Sequence, residues 1–482
     1  MIRTNKAWWS QALTVIAVAP CLLVHSSGCS ERPPLVPRSI DSTLVVGLGV
    51  GDVGVQQAVR NIAVEGLVDF DQNARPRPWL AERWAPLSEG RGWRIRLRPD
   101  ATFHDGQPVT ASIVRDILRA KLPGYLREPY EDVEEISASS DLDLDIRLKR
   151  PSAFILEGLE IPIQREGESV IGTGPFRSVT DGAAEMLAYK RYYGGPPAIS
   201  RLEIRPYPSL RTAWAEMLRK HVDVLYEVGV DALDSLGKSS AINVFTFERP
   251  YVYTLVLNSR RGPFQDRKVR RALNHAIDRQ LLIRTVLDGH GIPADGPVSP
   301  SHWARDSRSG GFEYAPEGLT VGGNPLRSTC IFGDPSLERM ALEVQRQLLE
   351  VGVVLTLEAV NGAEFLQRLD AGNFECALAD IISGPNLLRP YWFWHSDGPF
   401  NWGRFKSVQI DQALDGIRHG SSDDDYRRAV SAFQQAILND PPAIFLAWSE
   451  RARAVSKRFE VPVEPGRDIL STLRSWRPTT DR

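Results

Sequence analysis

Cysteine is scarce in this chain of 482 residues: there are four, and two fall before residue 30. Only Cys330 and Cys376 are left for a folded body, which excludes a disulfide scaffold. Neither stands at metal-ligand spacing from another ligand, so both read as buried free thiols on strands, with a disulfide between them the alternative. Charge of one sign is lacking as well. Lys and Arg number 58 against 60 Asp and Glu, a net charge of −2, so the chain as a whole has no electrostatic footprint for nucleic acid. No apolar run reaches membrane-spanning length, and no internal repeat is visible. The H-E-x-x-H and G-x-S-x-G spellings are missing, and the eight His are scattered without helical pairing. What is present is a globular balance, 42% hydrophobic and 24% charged. The length predicts two or three domains. Thirty-eight Gly and 34 Pro argue against a helical bundle, and 12 Trp supply large recognition surfaces.

The first 29 residues read as an export signal rather than fold. Arg3 and Lys6 give a positive start, and Ala12 to Val24 is an apolar run broken only by Pro20. Ser26-Ser27-Gly28-Cys29 resembles a bacterial lipobox, with Cys29 as the lipidated residue; plain cleavage nearby is the alternative. Residues 30–41, with Pro33, Pro34 and Pro37, read as a tether.

Beyond the tether, Thr43 to Gly47 reads as a strand and Val55 to Glu65 as a helix. Trp93 to Arg98 and Leu142 to Leu148 alternate apolar and charged residues, the pattern of half-buried antiparallel strands. Thr110 suits the N-cap of a helix to Ala120, with Ile113, Val114, Ile117 and Leu118 on one face. Arg201 to Arg205, Val222 to Tyr226 and Tyr251 to Asn258 are further strands, and Ser209 to Lys220 an amphipathic helix. Arg267 to Val286 reads as one long helix. From Thr329 to Asp380 the order is strand, helix, strand, helix, strand, with Gly333, Gly352 and Gly372 in the turns. That alternation predicts a parallel sheet covered by helices. Late helices at Asp411 to Arg418 and Asp424 to Leu438 precede a strand at Ala443 to Leu446.

Few motifs carry chemistry. Gly49-Val-Gly51-Asp-Val-Gly54 fits G-x-G-x-x-G between a strand and a helix, with Asp69 and Asp71 further on. Such a loop can set a pyrophosphate on a helix N-terminus, the mark of an exported dinucleotide-binding oxidoreductase; a plain Gly-rich turn is the competing reading. Ser235-Leu-Gly-Lys238 spells S-x-x-K without its companion motifs. His104 beside Asp105 is a structural pair rather than a metal pair. Tyr391-Trp-Phe-Trp394, with Trp402 close behind, is either a buried cluster or the wall of a ligand site.

Several strings in order then resemble one family. Glu65-Gly-Leu-Val-Asp69, Pro78-Trp-Leu-Ala-Glu-Arg-Trp84 and Phe103-His-Asp-Gly-Gln-Pro-Val-Thr-Ala111 are similar to the peptide/nickel-type solute-binding proteins of bacterial ABC importers, extracellular family 5. Gly172-Thr-Gly-Pro-Phe176, Tyr192-Tyr-Gly-Gly-Pro-Pro197, Leu257-Asn258 and Ala276-Ile-Asp-Arg279 continue the resemblance, which covers about residues 42–470. Several motifs in register outweigh one Gly-rich loop and reassign Gly49–Gly54 to the first turn of a binding protein.

The resemblance implies an α/β, two-lobed periplasmic-binding-protein-like (type II) fold with the ligand between the lobes. Residues 42–258 would form lobe I, including a reduced subdomain at about 85–170; residues 262–446 would form lobe II, and 447–482 would return to lobe I. The family's strand order would put Cys330 beside Cys376. The implied function is capture of a peptide or similar small solute and its delivery to membrane permease subunits, by a monomer without catalysis, metal or cofactor. The place is the periplasm or the outer face of the membrane, with a lipid anchor on Cys29. A non-transporting sensor on the same fold is the further alternative. Peptide binders of this family carry an Asp after the Phe374–Ala379 strand for the ligand's α-ammonium, where this chain has Gly384-Pro385-Asn386. A buried ammonium without a carboxylate is costly. The ligand therefore lacks a free amine, or Asp380 or another acid replaces the anchor. The expected cleft residues are Trp392, Trp394, Asn386, Asp380, Tyr253, Gly49 and Asp52, with Arg389 a partner for a ligand carboxylate.

Overall fold

A computed structural model describes residues 42–479, except 50–53, 88–90, 166–169, 180–183, 317–319 and 322–323. Cys29, Asp52 and the tether lie outside the described residues.

The strand Thr43–Gly49 alternates its side chains into a core that includes Leu44, Val46 and Leu48. It pairs in parallel with Arg201–Tyr207 and Val224–Leu225. This is one end of a 12-stranded mixed sheet. At the other end Asn324–Phe332 runs parallel to both Val353–Ala359 and Cys376–Ile382. That is the parallel sheet expected from the strand–helix alternation, and Cys330 stands opposite Cys376 on it as two free, buried thiols.

Two long strands, Ile242–Leu257 and Ala443–Ser456, join the ends. They pair antiparallel along their lengths, with register breaks between Glu248 and Val252 and between Tyr253 and Thr254. Residues 242–248 face 450–456 on the side of Thr43–Gly49, and residues 251–257 lie against Cys376–Ile382. Sequence reading found only Tyr251 to Asn258 and Ala443 to Leu446 of these strands. Their other halves carry Arg249, Glu450, Arg451 and Arg453 and do not look like buried sheet.

A separate four-stranded antiparallel sheet has Gly92–Leu97 and Asp143–Leu148 at its centre. The helix Ala111–Leu126 covers it, burying Ala111, Val114, Leu118, Leu122 and Leu126, with the Thr110 side chain capping its start. The spacing of three and four is the amphipathic stripe expected, extended by a turn and a half. The long helix expected over Arg267 to Val286 is in fact two, Arg267–His275 and Arg279–Val286. Asp278 accepts from the Leu281 amide at 2.8 Å and starts the second. The buried Arg279 guanidinium donates to the carbonyls of Asn274, Ala294 and Phe445 and fixes the break.

The small sheet's layer is not independent. Its apolar core runs on into that of the helices Leu388–Trp394, Val408–Arg418 and Asp423–Asn439. Polar groups cross the seam: Tyr426 Oη donates to Glu157 Oε1 at 2.7 Å. Burial pushes the Glu157 carboxyl up to about 7, against the Tyr426 hydrogen bond. Its folded pKa lies above the unfolded value, so its contribution to stability is full below about pH 4.5 and is lost as pH rises towards 7. Glu157→Gln should flatten that slope. Relative to wild type at pH 5, the variant should gain on the order of 1–3 kcal/mol by pH 8 in urea unfolding.

Candidate functional site

The two halves of the sheet meet where the long strands break register, and charged side chains gather there. Asp380, on the strand Cys376–Ile382, stands opposite Tyr253 on Ile242–Leu257. Arg451 bridges two carboxylates: its Nη2 donates to Asp380 Oδ2 at 3.0 Å and its Nη1 to Glu227 Oε1 at 2.6 Å. Arg249 approaches the same Asp380 oxygen at 3.8 Å and lies over the Tyr251 ring at 3.6 Å. Burial raises the Asp380 carboxyl above its ordinary range, while Arg451 and Arg249 pull it back. Burial likewise raises the Tyr253 phenol.

A second group lies on the far side of Tyr251, whose hydroxyl is in electrostatic reach of Arg389. Glu160 ends a short 3-10 turn, Gly158–Glu160, at the edge of the small-sheet layer. It accepts from Arg389 Nη2 at 2.9 Å, from Asn386 Nδ2 at 3.0 Å and from the Tyr125 hydroxyl. Arg389 also donates to Tyr125 Oη at 2.8 Å, and its guanidinium lies 4.8 Å from the Trp392 ring centre. The polar arc therefore draws on all three layers: Glu227 from one end of the large sheet, Asp380, Asn386 and Arg389 from the other, and Tyr125 and Glu160 from the small-sheet layer. Several of its buried atoms have no partner among the described residues: Arg451 Nε, Arg389 Nε, Trp392 Nε1, Asp380 Oδ1 and Asn386 Oδ1. A buried polar atom left unpaired costs free energy unless something supplies its hydrogen bond.

Beside the arc is a cavity of about 290 Å³ whose walls include Asn61, Glu65, Trp79, Tyr226, Arg453 and Arg474. It adjoins the arc through Tyr226 beside Glu227 and Arg453 two residues from Arg451. Glu65 is pushed up to about 7 by burial, against hydrogen bonds from the hydroxyls of Tyr192, Thr173 and Tyr193. Among the described residues no group of three or more His, Cys, Asp or Glu is placed to hold a metal ion.

This geometry matches a known family. The profile of bacterial extracellular solute-binding proteins, family 5 Middle, covers residues 75–402. The chain belongs to that family. A probable D,D-dipeptide-binding periplasmic protein of Escherichia coli (strain K12) is 24% identical over 424 residues, 79% of this chain and 81% of the relative. NikZ from Campylobacter jejuni, in complex with Ni(L-His), superposes with a TM-score of 0.78 at 20% identity over 91% of this chain and 99% of its own. The oligopeptide-binding protein AppA from Bacillus subtilis, in complex with a nonapeptide, gives 0.75 at 21% identity over 91% and 99%. The fold is thus the two-lobed α/β binding-protein fold, and the chain is a substrate-binding component of an ABC importer. Members of this family bind solutes and are not enzymes, and the family is periplasmic or extracellular. Among the described residues no helix is long and apolar enough to cross a membrane.

The family-5 chain brings five of the expected residues, Asp380, Tyr253, Asn386, Arg389 and Trp392, into the polar arc. Trp394 stands apart: it packs edge-on to Phe445, at 5.2 Å between ring centres, in the core behind. Tyr391 to Trp394 lie in a helix, Leu388–Trp394, all four buried. Gly49 ends its strand under Leu210. A Cβ there would meet the Leu210 amide nitrogen at 2.8 Å, so packing alone requires glycine at this position. Gly49→Ala should cost about 1–3 kcal/mol of stability, read as a lowered urea midpoint; a neutral substitution would leave its glycine unexplained.

Sequence reasoning missed Arg451, Glu227, Arg249, Glu160 and Tyr125. They come from five distant stretches and form no local motif. One signal was legible: Ser449-Glu-Arg-Ala-Arg453 puts three charges, with its two arginines at alternate positions, directly after the apolar run Ala443–Trp448.

Proposed function

We propose that this chain captures a small solute rich in carboxylate or carbonyl oxygens and lacking a free α-ammonium, and closes its two lobes over it. The observation that carries this reading is that the three acids of the arc able to replace the missing anchor are already committed to arginine, Glu227 sharing Arg451 with Asp380. Asp380 is paired with Arg451 and Glu160 with Arg389. Freeing any one of the three for an ammonium would take a counter-charge from a mostly buried guanidinium. Three of the five unpartnered atoms, Arg451 Nε, Arg389 Nε and Trp392 Nε1, are donors and suit the ligand's oxygens; Asp380 Oδ1 and Asn386 Oδ1 are left to accept from a hydroxyl or amide N–H of the same solute. Trp392 supplies the apolar wall, and Trp394 supports it from behind.

In this reading the lobes change over at the register break, near Glu248–Val252 and Trp448–Glu450, rather than after Asn258. The chain works as a monomer without catalysis or cofactor, is held to the membrane through Cys29, and passes its ligand to permease subunits.

Native mass spectrometry of the protein purified from its own host, with fragmentation of the released ligand, tests the proposal. A carboxylate-bearing solute with no free amine is the expected result. A peptide with a free N-terminus would overturn the ligand class, and a bound nicotinamide dinucleotide would overturn the reading altogether.

A further inference from the structure

Most arginines of this protein sit in ion pairs, but one surface breaks that habit. Arg260 and Arg261 follow the end of the strand Ile242–Leu257, and Arg267, Lys268 and Arg271 lie on the next helix, Arg267–His275; all five are exposed. Arg404 and Lys406 join them, because the Ser259 amide donates to the Gly403 carbonyl at 2.8 Å and brings the two segments together. Among the described residues none of these seven has an ion-pair partner within 4 Å. Arg261 reaches the Asn373 amide oxygen at 3.4 Å, and Arg404 the Asp370 carbonyl at 2.7 Å.

Two exposed acids, Asp266 and Asp370, lie among the seven cations and leave them in clear excess. Asp266 caps the helix by accepting from the Lys268 amide, and Asp370 accepts from Trp402 Nε1. The contrast with Arg270 on the same helix is direct. It is buried, donates to the Phe264 and Pro441 carbonyls and pairs with Asp440, so it serves the fold. The seven exposed cations do not. Arg267 and Lys268 even occupy the first helical turn, where the helix dipole disfavours positive charge. Mutual repulsion and the dipole both oppose this arrangement, in a chain whose net charge is −2.

We infer that this surface, at the end of the second lobe away from the register break, rests on an anionic lipid bilayer. The cations come from three chain segments, on long side chains with no shared hydrogen-bonding geometry. They suit a dense, unstructured array of phosphates better than the fixed register of a protein interface. The family's place outside the cytoplasm sets such a bilayer within reach. The inference does not depend on which solute the cleft takes.

Vesicle co-sedimentation of the full chain tests it, on pure phosphatidylcholine and on phosphatidylcholine with about 30% phosphatidylglycerol. Neutral vesicles account for whatever the apolar N-terminal segment contributes. The anionic vesicles should bind at least tenfold better at low salt, with the advantage gone at about 0.5 M NaCl. The R267E/K268E/R271E variant should lose most of the advantage while its solute affinity stays at the wild-type value and its urea midpoint does not fall, since acids suit a first helical turn. Equal binding to both vesicle types, or an advantage that survives the triple reversal, overturns the inference. So does binding to native membranes but not to bare anionic lipid, which would assign the surface to a protein partner.

Discussion

Arg418→Met is expected to cost about 3–5 kcal/mol in urea unfolding, the loss typical when one partner of a buried ion pair is removed. Arg418 closes the helix Val408–Arg418 and is 1% exposed. Its Nε and Nη2 fork onto the two Asp132 oxygens at 2.6 and 3.0 Å, and its Nη1 reaches Glu128 and, at 3.1 Å, the Tyr391 hydroxyl. Asp132 is fully buried, so methionine would fill the volume and leave the carboxylate with only the half-exposed Arg150 guanidinium as its counter-charge. Burial works against ionisation of Asp132 and Glu128. Hydrogen bonds from Arg418 and Arg150 to Asp132, and from Tyr391 and Arg418 to Glu128, outweigh it and hold both carboxyls below the ordinary range. Folded pKa values below the unfolded ones contribute stability that is present above about pH 4 and disappears as pH falls through the folded values. The wild type should therefore soften below about pH 4, and the variant should show less of that loss. Arg418→Met with Asp132→Asn should recover part of the deficit, because the second change removes the stranded charge. A single-variant loss under about 1 kcal/mol would mean that the seam opens freely and the guanidinium is hydrated in solution.

That seam also shows what could and could not be read from the chain. Periods of two and of 3.6 gave the strands at Trp93 and Leu142 and the helix after Thr110, because each buries one face against a single layer. The parallel sheet around Cys330 and Cys376 was legible from the alternation of strands and helices instead, since Cys376–Ile382 buries side chains on both faces. The helix break at Asp278 was not: Arg279 looks like a surface residue until its carbonyl partners at Asn274 and Phe445 are known. Aromatics at Tyr391 to Trp394 suggested a ligand wall. Only packing separates Trp392, beside Arg389, from Trp394, which backs onto Phe445. The acids were the hardest to see. Glu160 and Glu227 carry no motif; they become partners because two registers and one interlayer seam bring them to Arg389 and Arg451.

Arg451→Leu should weaken capture of the co-purified solute about 100-fold or more in isothermal titration calorimetry. Arg451 is the one described cation that pairs with both Glu227 and Asp380, so it ties the two ends of the large sheet together at the point where they meet. Without it two mostly buried carboxylates face each other, and the Glu227 charge already pushes Asp380 upward. The cheapest relief is protonation of Asp380 or a wider cleft, and a wider cleft forfeits ligand contacts. The raised folded pKa of Asp380 would rise further in the variant. The folded variant should accordingly bind best at low pH and lose affinity as pH rises past the ordinary carboxylate range. Arg451→Lys keeps the charge but cannot fork between two acids, so a loss of roughly tenfold is expected. Arg451→Leu with Asp380→Asn should remove the pH dependence without restoring full affinity, since the unpartnered Arg451 Nε donor would still be missing. Wild-type affinity in Arg451→Leu at neutral pH would move the ligand away from the register break, towards Glu160 and Arg389.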